Sequence, residues 1–199
     1  MANDLILRSS DLQTLISSPE CVALRRISLG TVNHPGMPTR KYLAGGLKLT
    51  DEKRAEIRQV IDHLRGICFA DSTAENRKAQ LGLVASMLLA YPVAGGSAEA
   101  GKARAEAYLF SLDDLPPWAI QEAIRLWHRG ECGSGFNYRW APAPAELRQI
   151  SVDRLKGGRD TVAHLEEVLA ALTLERAMDH RPIEKTGNGL PPFSLKVIR

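Results

Sequence analysis

Apolar residues recur every three to four positions along much of the chain, which is the spacing of one face of an α-helix. The clearest example follows Thr50, where a hydroxyl cap and two acidic residues form a typical helix start. Its apolar stripe consists of Ile57, Val60, Ile61 and Leu64. Later stripes consist of Leu81, Val84, Ala85 and Leu88; of Ile120, Ala123, Ile124 and Trp127; of Leu147 and Ile150; and of Val162, Leu165, Val168, Leu169 and Leu172.

Capping residues, prolines and glycines separate these stripes. Ser72 or Thr73 is placed to cap the helix that contains the Leu81 stripe, and Ser97 is placed to cap the helix that carries Tyr108. The small face of that helix, which would let a neighbour approach closely, consists of Ala100, Ala103 and Ala107. Asp113 or Asp114 is expected to cap the following helix, with Pro116-Pro117 in its first turn.

Glycines mark the predicted helix ends. Gly66 is expected to stop the helix that follows Thr50, and Gly130 the helix that ends near Trp127. Pro144 opens another helix, which the adjacent Gly157-Gly158 is expected to break or weaken.

The first 49 residues show less helical periodicity. A short helix is predicted at residues 11–17, and Val22, Leu24, Ile27 and Leu29 could form a short strand. Prolines and glycines punctuate the chain after Leu29, which is compatible with a small hairpin or with a mobile arm.

These patterns predict an all-α fold, a compact helical bundle with an irregular N-terminal arm and a flexible C-terminal tail. The arm is expected at residues 1–49, the central bundle at 50–156, a C-terminal helix at 157–181 and the tail at 182–199. A composition of 44% hydrophobic but only 6% aromatic residues agrees with helices packed through alanine and leucine.

The bulk properties favour a cytoplasmic protein. The three cysteines are widely spaced and form no CxxC pair, so neither a disulfide framework nor a zinc ribbon is indicated. No signal-type N-terminus and no apolar run of about 18 residues is present, so no membrane span is expected. A net charge of +3 permits contact with nucleic acid without implying it.

No motif in the chain carries recognisable catalytic chemistry. His128 and Cys132 supply two of the four ligands that a structural zinc ion needs. The glycine-rich segment at 130–135 contains no lysine and lies between helices, unlike a phosphate-binding loop. The sequence therefore predicts a protein that is not an enzyme, with no catalytic residues, no metal and no cofactor.

Two groups of residues are candidates for contact with nucleic acid. The aromatic residues Phe136, Tyr138 and Trp140 alternate around Arg139, so these rings could either anchor a long loop or stack on single-stranded bases. The N-terminal arm carries a few basic residues that could lie along phosphates or be ordinary surface charges. The candidate residues are Arg25, Arg26, Arg40, Lys41, Arg139 and Trp140.

The apolar seam at 162–172 has two interpretations. It is either part of the intramolecular core or a face that packs against a second copy or a partner helix. The candidate partner-binding residues are Leu165, Val168, Leu169 and Leu172.

The order of motifs between residues 81 and 150 adds a family resemblance. One helix ends in an aromatic–proline step at Tyr91-Pro92, and the next carries Tyr108. A Leu-x-Asp-type turn at 112–115 precedes an alanine-containing helix, and a Pro-x-x-x-Glu-Leu motif at 142–147 opens the last one. In these features the chain resembles phage and prophage replication proteins of the helicase loader/inhibitor type.

The resemblance implies a small non-enzymatic adaptor that binds a hexameric replicative helicase and a replication initiator. From the residues alone, two alternatives stand beside this adaptor. One is a direct binder of single-stranded DNA that uses the basic arm and the loop at Arg139 and Trp140. The other is a self-assembling structural or regulatory protein that forms a homodimer through residues 162–172.

Overall fold

Helices make up most of the protein in the computed structural model, which describes residues 10–70, 73–91, 97–172 and 177. The predicted all-α bundle is confirmed, with a small hairpin added to it. Residues 10–16 form α1, and the hairpin consists of β1 (Leu29–Val32) and β2 (Arg40–Leu43), followed by a 3-10 turn (Ala44–Gly46). The remaining helices are α2 (Pro19–Arg25), α3 (Asp51–Cys68), α4 (Ala74–Leu89), α5 (Ala98–Leu112), α6 (Pro117–Arg129) and α7 (Pro144–Ala170).

The long helix α7 is the centre of the bundle, because α2, α3, α5 and α6 all pack against it. Helix α4 completes the body by packing against α5 and α6. Two tryptophans are buried in this core, and the indole of Trp118 donates a hydrogen bond of 2.7 Å to the carbonyl of Ile67. The second buried tryptophan is Trp127, and other fully buried side chains include Ile57, Leu64, Met87, Tyr108, Leu112, Leu115, Ile120 and Leu147.

Several predicted helix ends are confirmed by their local geometry. The hydroxyls of Thr50, Thr73 and Ser97 each accept a hydrogen bond from the backbone amide three residues later, which caps α3, α4 and α5. Gly130 ends α6 in the left-handed conformation with φ of 70°. Pro144 lies in the first turn of α7, as predicted.

Of the two alternatives for the N-terminal arm, the small hairpin is the one found in its described residues. Val22 and Leu24 are not in a strand, however: they lie in α2, which starts where the Ser18 hydroxyl accepts from the Cys21 amide at 3.2 Å. In the hairpin, Leu29 pairs with Leu43.

A segment from the end of α7 extends this small sheet. Leu172 forms a parallel bridge with Tyr42. The amide of Leu172 donates to the carbonyl of Lys41 at 3.0 Å, and the amide of Leu43 donates to the carbonyl of Leu172 at 3.1 Å. The chain therefore ties the N-terminal hairpin to the C-terminal end of the bundle.

Gly157-Gly158 was expected to break or weaken the helix that starts at Pro144, and the break is not found. The separate C-terminal helix predicted to start at residue 157 is the second half of α7. Both residues lie inside the continuous helix α7. A Cβ atom on Gly158 would lie 2.3 Å from the Cys68 sulfur and 2.9 Å from Leu12 Cδ1. The missing side chain thus lets α1 and α3 approach α7 closely. Gly66 likewise does not stop α3, which continues to Cys68.

Helix α4 faces the core with a different stripe from the predicted one. Gln80, Val84 and Met87 are buried, whereas Leu81 and Ala85 are exposed. The Gln80 amide donates to the carbonyls of Leu112 at 3.2 Å and Leu115 at 2.8 Å. These two hydrogen bonds give the NH₂ group of this buried side chain two acceptors.

Two predictions for α5 and its C-terminal turn are also corrected. The small face expected to pack against a neighbour is exposed. Asp113 and Asp114 do not cap α6: the N-cap residue is Pro116, and no side chain caps the helix. Asp114 instead forms an ion pair with Arg148 of α7. The exposed alanines are Ala100, Ala103 and Ala107.

Within the described ranges, none of the helices has both the length and the apolar character required to cross a membrane. The predicted tail at 182–199 lies outside the described residues, as do residues 173–176 and 178–181 of the predicted C-terminal helix.

Candidate interaction surfaces

His128 and Cys132, the pair considered as metal ligands, have other roles in the described structure. The His128 ring stacks on Tyr91 with centroids 5.5 Å apart, and its Nδ1 lies 3.3 Å from the Tyr91 hydroxyl. Cys132 is half-buried, and burial raises the pKa of its thiol. In the part of the chain that the structure describes, no group of three or more His, Cys, Asp or Glu residues is arranged to hold a metal ion.

The basic residues of the N-terminal arm do not form one surface. Arg25 and Arg26 are exposed at the end of α2. Arg40 is buried, and its guanidinium contacts the Met37 sulfur at 3.9 Å. Lys41 is exposed but forms an ion pair with Glu167 of α7. The prediction that Arg40 contacts phosphate was therefore wrong, because its side chain is packed inside the protein.

The apolar seam at 162–172 belongs mainly to the intramolecular core. Leu165 and Val168 are fully buried, and Leu169 is half-buried against the same core. Leu172 is half-buried and contributes its backbone to the sheet. A partner that used Leu165 and Val168 would have to displace the protein's own packing, so the prediction of a partner-binding face here was wrong for these two residues.

The loop between α6 and α7 separates the three alternating aromatic residues. Phe136 and Tyr138 pack edge-on against Trp127, with ring centroids 5.4 and 5.1 Å from it. The Tyr138 hydroxyl also donates to the carbonyl of Gly133 at 2.6 Å. These two rings anchor the loop. Trp140 does not join them and leaves 56% of its surface exposed.

Trp140 lies at the edge of a pocket of about 330 Å³ that the loop forms with α5 and the start of α7. Arg104 of α5, Asn137 of the loop and Glu146 of α7 supply its polar side chains. The Glu146 carboxylate accepts a hydrogen bond of 2.6 Å from the backbone amide of Ala143, so it is engaged in starting α7.

Tyr108 lies at the base of this pocket and connects α5 to the loop. Its hydroxyl donates to the carbonyl of Pro142. Burial raises the pKa of the Tyr108 phenol, and the neighbouring Arg104 guanidinium opposes that rise. The sequence predicted Trp140 and the adjacent Arg139 but missed Arg104, because only the packing of α5 beside the loop brings Arg104 to the pocket.

A second exposed feature lies on α4 and α5, which pack against each other. The α4–α5 outer faces are two apolar stripes that point away from the core. The α4 stripe is spaced at i, i+4 and i+8, and the α5 stripe at i, i+3, i+7 and i+10, so each follows one side of its helix. Their members are Leu81, Ala85 and Leu89 on α4, and Ala100, Ala103, Ala107 and Phe110 on α5.

Two of these side chains are unusually exposed for their size. Leu89 leaves 86% of its surface exposed and Phe110 leaves 84%. Phe110 also borders a groove of about 820 Å³ between the N-terminal half of α4 and the C-terminal half of α5. The sequence had placed Leu81 and Ala85 in a buried stripe and had predicted a close neighbour for the α5 alanines, whereas all of these residues are exposed.

No family model matches the chain, and no curated protein or solved structure was found to match it.

Proposed function

We propose that this protein is a non-enzymatic adaptor of DNA replication that docks on a hexameric replicative helicase through protein–protein contacts. The observation that carries the proposal is the pair of α4–α5 outer faces, where Leu89 and Phe110 are almost fully exposed on an otherwise well-packed body. Apolar side chains on one side of a helix are typical of surfaces that lie in an apolar groove of a partner.

The position of these faces agrees with the family resemblance. The motifs that resemble helicase loaders and inhibitors lie in residues 81–150, which contain the C-terminal half of α4 and all of α5. The replicative helicase is therefore the partner that the resemblance assigns to this surface. The assignment of loader or inhibitor follows from the direction in which the protein changes helicase activity.

The energetic contribution of the exposed residues can be bounded. Burying a leucine or phenylalanine side chain completely contributes about 1.5–3 kcal/mol. Leu89 and Phe110 start almost fully exposed, so docking on both would contribute about 3–6 kcal/mol before any other contact is counted. Loss of both contacts would weaken binding by at least about 100-fold.

The test uses purified full-length protein and the replicative helicase of the same host. Binding is measured by isothermal titration calorimetry, and the ATPase rate of the helicase is measured with and without the protein. The variants Leu89→Asp and Phe110→Asp are expected to weaken binding and to reduce the change in ATPase rate together. Both residues are exposed, so both variants are expected to fold normally.

A matched control separates docking from a general effect of added charge. Leu47 and Leu81 each leave 43% of their surface exposed, but only Leu81 lies on the α4–α5 outer faces. Leu81→Asp should therefore weaken helicase binding, whereas Leu47→Asp should leave it unchanged. Absence of binding by the unchanged protein, or equal binding by the Leu89→Asp and Phe110→Asp variants, would reject the proposal.

A further inference from the structure

We propose that the pocket beside Trp140 binds one base of a single-stranded nucleic acid by stacking on the Trp140 indole. This site is separate from the α4–α5 outer faces and does not depend on helicase docking. Three observations carry it: the rigid placement of an exposed tryptophan, the two arginines beside it, and the small size of the pocket.

The backbone on both sides of Trp140 is held in place. The indole of Trp127 donates a hydrogen bond of 3.0 Å to the carbonyl of Trp140, and the Tyr108 hydroxyl donates to the carbonyl of Pro142. The amide of Trp140 donates to the carbonyl of Asn137 at 3.4 Å. A ring on such a fixed backbone loses little conformational freedom when a ligand stacks on it.

The charges around the indole suit a phosphate backbone. Arg104 lines the pocket and Arg139 precedes Trp140 in the chain, and both are exposed. Neither arginine has an acidic ion-pair partner among the described residues, in contrast to Arg148, which is paired with Asp114. The Glu146 carboxylate already accepts the Ala143 amide. The Arg104 side chain is hydrogen-bonded to the Tyr108 hydroxyl, which is uncharged, so its positive charge is not neutralised. We therefore expect both guanidinium groups to attract phosphates that flank a stacked base.

The pocket also has the size and polarity for one base. Its volume of about 330 Å³ admits a planar ring beside Trp140 but not a packed helix. Asn137 contributes a side-chain amide to the pocket, and its Oδ1 accepts from the Arg139 amide at 3.2 Å, which leaves its NH₂ group to donate to a base edge. Stacking on an aromatic ring is tolerant of base identity, so we expect weak sequence preference.

Another exposed aromatic residue shows why Trp140 is distinct. Phe69 leaves 43% of its surface exposed, but the Arg159 guanidinium lies over its ring, 5.0 Å from the centroid. Arg159 is fixed there by hydrogen bonds to the carbonyls of Cys68 at 3.2 Å and Asp114 at 3.3 Å. One face of Phe69 is thus already occupied, which makes Phe69→Ala a suitable control variant.

The protein contains three tryptophans, and only Trp140 is exposed, so its fluorescence reports on the site directly. The full chain is titrated at low salt with an oligothymidylate and with an oligouridylate. We expect the oligonucleotide to quench the emission of Trp140, which is the tryptophan that the solute quencher acrylamide can reach. We also expect the bound oligonucleotide to protect Trp140 from quenching by acrylamide. Binding of either oligonucleotide supports the proposal, and the ratio of the two affinities distinguishes DNA from RNA as the ligand.

The variants test the role of each side chain. Trp140→Ala should weaken binding by about 5- to 100-fold, while Trp140→Phe should retain most of the affinity, because stacking is preserved. Arg104→Ala and Arg139→Ala should each weaken binding and reduce the slope of log affinity against log salt by about 0.7, with Arg104→Lys restoring the slope. Phe69→Ala should bind like the unchanged protein.

Three results would overturn the proposal. The first is no binding of either oligonucleotide at low salt, and the second is binding that Trp140→Ala leaves unchanged. The third is a shift of Trp140 emission to shorter wavelength on addition of helicase but no response to oligonucleotides, which would identify this pocket as a protein contact. Because Leu89→Asp leaves this pocket intact, failure of helicase docking and failure of base stacking are read from different variants.

Discussion

Replacing each of the two adjacent glycines in α7 by alanine should change stability in opposite directions. An alanine in a helix interior is more stable than a glycine by about 0.5–1 kcal/mol, because the glycine loses more backbone entropy on folding. That gain is common to Gly157→Ala and Gly158→Ala. The surroundings of the new methyl group differ, so the comparison isolates the packing of α1 and α3 on α7.

At Gly158 the new Cβ atom would lie 2.3 Å from the Cys68 sulfur and 2.9 Å from Leu12 Cδ1. Both neighbours are buried, and the Cys68 sulfur has no flexible side chain beyond it to move. Forcing an extra methyl group into a packed core costs about 1–3 kcal/mol. After the gain in helix propensity, Gly158→Ala should be destabilised by up to about 2 kcal/mol.

At Gly157 the nearest atom is Ile16 Cδ1 at 3.4 Å, the end of a half-buried flexible side chain. The new methyl group there makes an ordinary contact, so Gly157→Ala should be stabilised by about 0.5–1 kcal/mol. The two variants should therefore differ by about 1–3 kcal/mol. For a chain of this length, that difference corresponds to several degrees in the midpoint of thermal unfolding.

The assay is urea and thermal unfolding followed by far-ultraviolet circular dichroism. A second substitution tests the cause: in a Cys68→Ala background, which removes the sulfur, Gly158→Ala should be much less destabilising than in the unchanged protein. Equal stabilisation by Gly157→Ala and Gly158→Ala would refute the close approach of α3 to α7. An unchanged penalty in the Cys68→Ala background would refute the assignment of the clash to that sulfur.

Three further predictions concern polar contacts between elements of the bundle. A hydrogen bond from Arg148 holds the pKa of the Asp114 carboxyl below its usual value in the folded protein. The ionised pair therefore stabilises the fold fully at pH values above the pKa of an unfolded aspartate, about 3.9. This stabilisation is lost as the pH falls through the lower pKa of the folded state. Because both side chains are partly exposed, Asp114→Asn should lower the free energy of unfolding by at most about 1 kcal/mol at pH 7. Urea titrations at decreasing pH should show the difference in free energy between the variant and the unchanged protein disappear. A difference that does not depend on pH would contradict the prediction. Gln80→Leu should cost about 1–3 kcal/mol in the same assay, because it removes the side-chain donor from the carbonyls of Leu112 and Leu115. A neutral effect would contradict these hydrogen bonds. Tyr108→Phe should cost about 0.5–1.5 kcal/mol through loss of the bond to the loop carbonyl, and an unchanged free energy of unfolding would contradict that anchor.

The helices were predictable where the determining interactions are local. Thr50, Ser97 and Gly130 each fix a helix end through atoms only a few residues away, so sequence spacing was enough to place them. The start of α7 at Pro144 follows from the same kind of information. The all-α fold could therefore be predicted from its caps and periodicity.

The orientation of the helices required contacts that spacing does not encode. Leu81 was predicted to be a core residue but is exposed, whereas Gln80, which is outside the predicted stripe, is buried. The buried Gln80 amide donates to the carbonyls of Leu112, at the end of α5, and Leu115, in the turn that follows, which are 32 and 35 residues away in the chain. Gly158 was misread for a related reason: its missing side chain serves packing against Cys68 rather than a break in the helix.

The residues of the candidate sites also divide into those that a local sequence pattern predicts and those that only the packing of distant elements reveals. Trp140 and Arg139 could be selected from the sequence, because an arginine among alternating aromatic residues is a local pattern. Arg104 could not, since it reaches the pocket only through the packing of α5. Arg40 was wrong for the complementary reason, because nothing near it in the chain indicates that the hairpin buries its side chain.

The different fates of Phe136, Tyr138 and Trp140 show how a functional surface can be separated from an anchoring one. Equal spacing in the sequence suggests equal roles, but Asn137 Oδ1 accepts the Arg139 amide and the Trp140 amide returns to the Asn137 carbonyl, so the chain turns between the second and third rings. The turn directs two rings onto Trp127 and leaves the third outside the cluster. Folding gains little from Trp140 in that position, because its indole remains largely in water. Trp140 thus contributes little to the core, although the core fixes its backbone. Its exposed ring is therefore better placed to contact a ligand than to stabilise the fold.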